Sequence, residues 1–305
     1  MSNRTEKTHN SVPTAYSYGD AGQMTATQAL AGGVAYGYDD NGNQVAAGSD
    51  TFAWDAENRL VETNMASTTG TYEYNGDGLR TTRTIGASAV SYVWDLDASL
   101  PVVLQDSDGN RYVYGLDLLT RIDGTDEEWY LYDGLGPTTG LADDAGAVTG
   151  TYEYDVFGAV RSRTGDATEW SYTGEQHDAT GLEYLRARYY DASTGRFLAQ
   201  DPLPLPQRYA YVQSNPANYT DPFGLIGLGD IGKCIGDPVK CGKKVLDETA
   251  EGADATWDAA VEYGGGTIVN VLYTVGKAEV AVYRGCNWFE DGAFDQCVAS
   301  AIQLY

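Results

Sequence analysis

The sequence predicts a mainly β chain: repeated hairpins forming one extended sheet, then a differently built segment, then a small, partly helical C-terminal module. Three observations carry that prediction. An aromatic pair recurs eight times, Tyr and Gly number 24 and 37, and all four cysteines fall after residue 233. Aromatic residues favour half-buried strands and glycine favours tight turns.

Composition narrows the class further. At about 150 residues per domain, 305 residues allow one large domain with an appendage. The formal net charge of −25 argues against a nucleic-acid partner for the repeats, which would need a basic patch. With 12% aromatic residues, the chain is unlike acidic disordered sequences, which cannot bury enough apolar surface to fold. No run reaches the roughly 18 apolar residues of a membrane span. The opening MSNRTEKTHN lacks the apolar stretch of a secretory signal, so export would proceed without a recognisable signal peptide in this chain.

Residues 1–15 read as a flexible lead-in. From residue 16 the segments YSYGDAG, YGYDDNG, FAWDAEN, YEYNGDG, YVWDLDA, YVYGLDL, YLYDGLG and YEYDVFG align without gaps. Their third residues are Tyr18, Tyr38, Trp54, Tyr74, Trp94, Tyr114, Tyr132 and Tyr154, and the residue two earlier is aromatic each time. Rings at i and i+2 share one face of a strand. The Asp or Asn that commonly follows, and the Gly four after the anchor, supply turn chemistry. Each unit therefore reads as strand, turn, strand. One hairpin is marginal alone, whereas stacked copies bury a continuous aromatic face. DDNGN at 39–43 and DSDGN at 106–110 echo a calcium loop, but their twelfth positions hold Asp50 and Asp117, so both read as hairpin turns.

This aromatic-x-aromatic-Asp-x-x-x-Gly unit resembles the YD repeat of the RHS family, which implies a β-sheet spiralling into a hollow shell over residues 16–173. Eight units are fewer than such shells usually carry, which implies an open fragment.

From Gly174 the texture changes. The pieces Gly181-Leu182-x-Tyr184, Ala187-Arg188-Tyr189-Tyr190-Asp191, Gly195-Arg196-Phe197, Asp201-Pro202, Asn215-Pro216 and Asp221-Pro222-x-Gly224-Leu225 lie within about 50 residues. Arg186, Arg188 and Arg196 stand opposite Asp191, Asp201 and Asp221. Two readings of the residues are open: an ion-paired plug whose Asp-Pro and Asn-Pro steps start turns, or a self-cleaving site. In the second, two close carboxylates share a proton, one activating water and the other acting as acid, while an arginine sets which stays charged. Residues 174–225 also resemble the RHS-associated core, with Ala192 where the family commonly has Pro. That resemblance implies a cap acting as an aspartyl autoprotease that cuts after Leu225, before Ile226. Matched residue by residue, Asp201 and Asp221 would be the carboxylates, Arg188 the supporting cation and Asp191 the reserve.

Other chemistries lack residues. Two histidines, His9 and His177, and no paired Cys-x-x-Cys leave little for a metal centre or a Ser-His-Asp triad. No cofactor or metal is expected, and His177 reads as a hydrogen-bonded structural residue.

Residues 226–305 form a separate module. Leu246, Ala250, Ala253, Trp257 and Ala260 step at helical spacing and predict one packed helical face. Cys234, Cys241, Cys286 and Cys297 fit either two disulfides, for instance Cys234–Cys241 and Cys286–Cys297, or free thiols. The family resemblance makes this tail the cargo of the shell and a candidate effector. It also implies a secretion or delivery component, a cognate immunity protein and a secreted or cell-surface location. The alternatives are a non-enzymatic surface scaffold or an orphan cassette with an inactive tail.

Overall fold

The computed structural model describes residues 3–9, 11–29, 32–65, 68–98, 100–115, 117–202, 207–225, 255–258, 267–275, 278–286 and 297–304. The chain divides into two units, Met1–Trp94 with Val103–Gly236, and Asp95–Val102 with Asp237–Tyr305.

In the first unit, seventeen strands from Glu6–His9 to Val160–Gly165 belong to one antiparallel sheet that does not close on itself. Strands pair with their sequence neighbours, as Val12–Tyr18 does with Met24–Ala29 and Thr68–Tyr74 does with Arg80–Ile85. The expected lead-in is already part of this sheet, since Glu6–His9 pairs with Val12–Ala15. The reason is local: KTH and VPT alternate in a strand-compatible way and meet across a tight turn at Ser11, which takes φ 63°.

The repeated turns have one mechanism. Asp55, Asn75, Asp106, Asp143 and Asp155 accept at Oδ1 the backbone N–H groups two and four residues on. The fourth residue then takes positive φ, as at Gly42 (84°), Gly78 (79°) and Asn58 (60°). Both calcium-loop echoes are such turns, with Gly42 N–H bonded to the Asp39 carbonyl and Gly109 N–H to that of Asp106. A bulge in the ladder falls at the anchor itself, for example between Glu73 and Tyr74 and between Glu153 and Tyr154.

Both rings of each pair face inward. The first ring is buried at Phe52, Tyr72, Tyr92, Tyr112, Tyr130 and Tyr152, and the second is half-buried. The second ring also ties hairpin to hairpin. Tyr74 donates its hydroxyl to the Leu60 carbonyl at 2.6 Å, Tyr132 to Leu118 at 2.6 Å, and Trp54 donates its indole N–H to Gln44 at 2.8 Å. This repeated tie was absent from the sequence reading.

The segment from Thr168 to Leu225 lies on that aromatic face. It contributes a four-stranded sheet of Gln176–His177, Glu183–Leu185, Arg188–Asp191 and Arg196–Phe197. Rings interlock along its length, with Tyr38 against Tyr209, Tyr72 against Tyr189, Tyr112 against Trp170 and Tyr154 against Tyr172 at 5.0–5.8 Å between centroids. Since hairpins from Tyr38 to Tyr154 all reach one compact segment, the sheet curves around it. Its two ends approach at Lys7 and Asp155, which form a 2.7 Å ion pair.

In the second unit, four strands form an antiparallel sheet: Ala255–Asp258, Thr267–Val275, Ala278–Cys286 and Cys297–Leu304. The expected helical face is not seen where it can be checked, because Trp257 pairs in strand register with Tyr273. The β-branched and aromatic run TIVNVLYTV offers a ladder that an adjoining ATWD can extend, which outweighs the helical spacing. Leu246, Ala250, Ala253 and Ala260 lie outside the described residues. Cys286 stands directly opposite Cys297, while Cys234, Cys241 and Ile226 lie outside the described residues. Among the described residues no helix is long and apolar enough to cross a membrane.

Candidate functional site around Arg188

Arg188 leaves the third strand of the cap sheet with its side chain buried over the ring of Phe197, 3.6 Å from guanidinium carbon to centroid. Burial draws the Arg188 guanidinium below its ordinary value, and its surroundings are built to compensate. Nη2 lies 2.7 Å from Asp201 Oδ2 and 3.7 Å from Asp221 Oδ2. The same Nη2 donates to the carbonyl oxygen of Leu225 at 3.2 Å. Nε donates to the Gly224 carbonyl and Nη1 to the Arg208 carbonyl.

Each carboxylate is placed by its own local structure. Asp201 follows the strand Arg196–Phe197, and its backbone N–H and carbonyl both bond Arg208, by the Arg208 carbonyl and by Nε. Asp221 starts the turn 221–225: its carbonyl accepts the Gly224 N–H and its Oδ1 accepts the Leu225 N–H at 3.0 Å. Both residues are buried, at 1% and 2% exposure. Burial raises the Asp221 carboxyl from 3.8 to about 6, against the opposing pull of Arg188 and the two N–H groups. Gly224 is required in this turn, because φ is +67° and a Cβ there would run into the Leu185 carbonyl oxygen.

Three of the four residues singled out from sequence therefore meet: Asp201, Asp221 and Arg188, with Leu225 between them. Asp191 does not join them. Its carboxylate caps the hairpin between the last two cap strands, accepting from Ser193 and Thr194. Nor do all three arginines face the aspartates. Arg186 pairs with Glu175 at 2.8 Å, and Arg196 bonds the Gly22 carbonyl and stacks on Tyr18. His177 is hydrogen-bonded to Glu183 at 3.0 Å.

Two features were missed. The Glu175–Arg186 pair touches the same turn from the other side, with Arg186 Nη1 on the Pro222 carbonyl at 2.6 Å. Arg80 and Asp178, wholly buried and 2.6 Å apart, lock the sheet to the cap, and Arg80 also donates to Tyr189 and Gln176. Both arginines sit in motifs whose local spacing gives no hint of a distant partner.

The chemistry of the cluster follows from these distances. One guanidinium nitrogen polarises the Leu225 carbonyl and holds a carboxylate beside it. A second carboxyl, pushed toward neutrality, sits on the N–H of the same residue. Carbonyl polarisation, a base and an acid are thus gathered around one peptide group.

No family model matches the chain. The tRNA3(Ser)-specific nuclease WapA of Bacillus spizizenii is 33% identical over 208 residues, covering 61% of this chain and 9% of the relative. Toxin subunit YenC2 of Yersinia entomophaga is 36% identical over 113 residues, covering 34% of this chain and 12% of the relative. The chain thus spans about a tenth of the length of these relatives. Among solved structures, the TcdB2-TccC3-TEV crystal structure aligns with a TM-score of 0.53 at 20% identity, over 70% of this chain and 13% of that one. The Photorhabdus luminescens Tc holotoxin pore aligns at 0.54 and 20%, over 71% and 13%. These structural likenesses speak for the fold, and the sequence relatives for descent. With its aromatic-pair hairpins wrapped around a core that ends in Asp221-Pro222-Phe223-Gly224-Leu225, the chain belongs to the RHS, or YD-repeat, family.

Proposed function

We propose that residues 174–225 cut their own chain between Leu225 and Ile226, freeing residues 226–305 from the repeat sheet. The observation that carries this reading is that Arg188 Nη2 reaches both Asp201 and the Leu225 carbonyl while Asp221 holds the Leu225 N–H. Asp201, ionised against Arg188, takes a proton from water as the oxygen attacks the Leu225 carbonyl carbon. Arg188 stabilises the oxyanion that forms. Asp221, neutral below about pH 6, supplies the proton that the Ile226 nitrogen needs as the C–N bond breaks. The products are a Leu225 carboxylate and an Ile226 amine.

In this reading the repeats form part of a toxin-type shell, the tail is its cargo and candidate effector, and other components secrete or deliver it. An immunity protein would guard the producer. Relatives described as toxin subunits and nucleases support that role, and the activity of the tail is set by its own residues.

Intact-mass measurement of the expressed chain tests the proposal. Two fragments joined at Leu225–Ile226 are expected from the wild type, and Asp201→Asn or Asp221→Asn should slow the cut by about 10²–10⁴-fold. A wild-type chain that stays whole refutes self-cleavage and leaves a non-enzymatic scaffold.

A further inference from the structure

Beyond the acid, base and cation, the cap grips the turn that would be cut. Four successive carbonyls are taken by three successive residues of the cap. Pro222 accepts from Arg186 Nη1 at 2.6 Å, Phe223 from the Ala187 N–H at 3.2 Å, Gly224 from Arg188 Nε and Leu225 from Arg188 Nη2 at 3.2 Å. The match runs in order, one seat after another. It fixes where along the chain the site acts, since a slip by one residue would bring the Gly224 carbonyl into the seat of Leu225.

The first seat is built with the most support. Proline has no N–H, so the carbonyl is the only main-chain hydrogen-bonding group that Pro222 offers. Arg186, which takes it, holds φ at 56°, a conformation that a non-glycine residue keeps only where its surroundings impose it. Glu175, 5% exposed, pairs with the same Nη1 at 2.8 Å, so the guanidinium is charged, fixed and shielded. The third seat adds a size limit, because only glycine fits under the Leu185 carbonyl. Register is thereby set twice, by charge at Pro222 and by space at Gly224.

We propose that Arg186, held by Glu175, is a positioning residue that selects the bond to be cut by seating the Pro222 carbonyl. The proposal deepens the self-cleavage reading and rests on it for its chemical consequence, while the grip itself can be measured without any cleavage. Arg186 touches neither the Leu225 carbonyl nor either aspartate in the contacts described above, and so acts through the turn.

The test uses full-length chains carrying Arg186→Gln, Arg186→Lys or Glu175→Gln. Arg186→Gln is expected to slow cleavage by about tenfold to a hundredfold and to yield fragments ending one residue before or after Leu225. Arg186→Lys should recover the single fragment mass in part, because a cation still meets the carbonyl. The pH dependence of the rate should stay where the wild type has it, since the acid and base are unchanged. In an uncut Asp201→Asn background, amide exchange at Gly224 and Leu225 should rise at least tenfold on adding Arg186→Gln, with Tyr112–Tyr114 in the sheet unchanged. Exchange and fragment mass that both match the parent would overturn the proposal. Faster exchange spread equally over the sheet would overturn it too, showing general loosening. A wild type that never cuts defeats the self-cleavage reading alone, and the exchange comparison then decides whether Arg186 fixes the turn.

Discussion

Trp94 donates its indole N–H to the carbonyl of Arg80 at 2.8 Å, so the aromatic anchor of one hairpin holds the arginine that locks the cap. Arg80 is engaged on every side: its N–H meets the Tyr184 hydroxyl at 2.8 Å and its guanidinium meets Asp178, Tyr189 and Gln176. The repeat and the core thus share a residue through which the packing of one depends on the other.

Arg80→Met should be severely destabilising. It leaves Asp178 buried with only Arg83 at 3.0 Å as a cation partner, and removing one member of a buried pair costs about 3–5 kcal/mol. Urea unfolding should show that loss. Limited proteolysis should open the cap before the distant hairpins. Arg80→Lys should rescue little, since one ammonium cannot span three separate acceptors.

The aromatic ties should each be worth far less. Tyr74→Phe frees the Leu60 carbonyl and Trp94→Phe frees that of Arg80, each costing about 1 kcal/mol for the lost bond. Trp94→Phe should cost more than that, because it also gives up indole area packed on Tyr184 and loosens the lock. Comparing the two urea midpoints measures the difference, and equal losses would mean that the lock does not depend on Trp94.

The eight-fold pattern made the sheet legible from sequence. Aromatic pairs two apart declare a face, and Asp-x-x-Gly declares the turn, so both survive as local rules. The meeting of Asp201, Asp221 and Arg188 was legible only through fixed motif spacing. Asp191 was misplaced because an Asp before Ser-Thr can satisfy itself locally, as it does here. Arg80 and Asp178 are 98 residues apart, and nothing local in either stretch announces the other. The strand at Trp257 shows the reverse case, a helical spacing overridden by a neighbouring ladder.

Asp221 should make both stability and cleavage depend on pH. Its folded value, about 6, lies above the unfolded 3.8, so its contribution to stability is full below pH 4 and is lost as pH rises through 6. Asp221→Asn should therefore gain on the order of 3 kcal/mol over the wild type at pH 7–8 and little at pH 4. Denaturant midpoints at the two pH values check this. In the proposed reaction Asp221 must carry its proton. Precursor held in urea and diluted into buffers from pH 5 to 8 should cut fastest below about 6 and lose roughly tenfold in rate per unit above it. A rate that climbs across that range would remove Asp221 from the role of acid.

Arg188→Gln removes the donor on the Leu225 carbonyl and the partner of Asp201 together. Cleavage of the folded variant should fall by about 10²–10³-fold, the usual cost of an oxyanion donor. Arg188→Lys should regain only part of that, because a single ammonium cannot occupy the Gly224, Arg208 and Leu225 carbonyls and Asp201 at once. Rates followed by intact mass after refolding distinguish the two variants.

The hold on residues 222–225 is made to main-chain oxygens, and its last seat is the carbonyl of Leu225. Main-chain oxygens are the same whatever sequence is joined to them. Each of those four bonds is therefore indifferent to the identity of the segment that follows, and one tail can be exchanged for another at this junction without redesigning the grip. The cap behaves as a standard coupling: it fixes the point and direction at which a new module begins, and leaves the module free to vary.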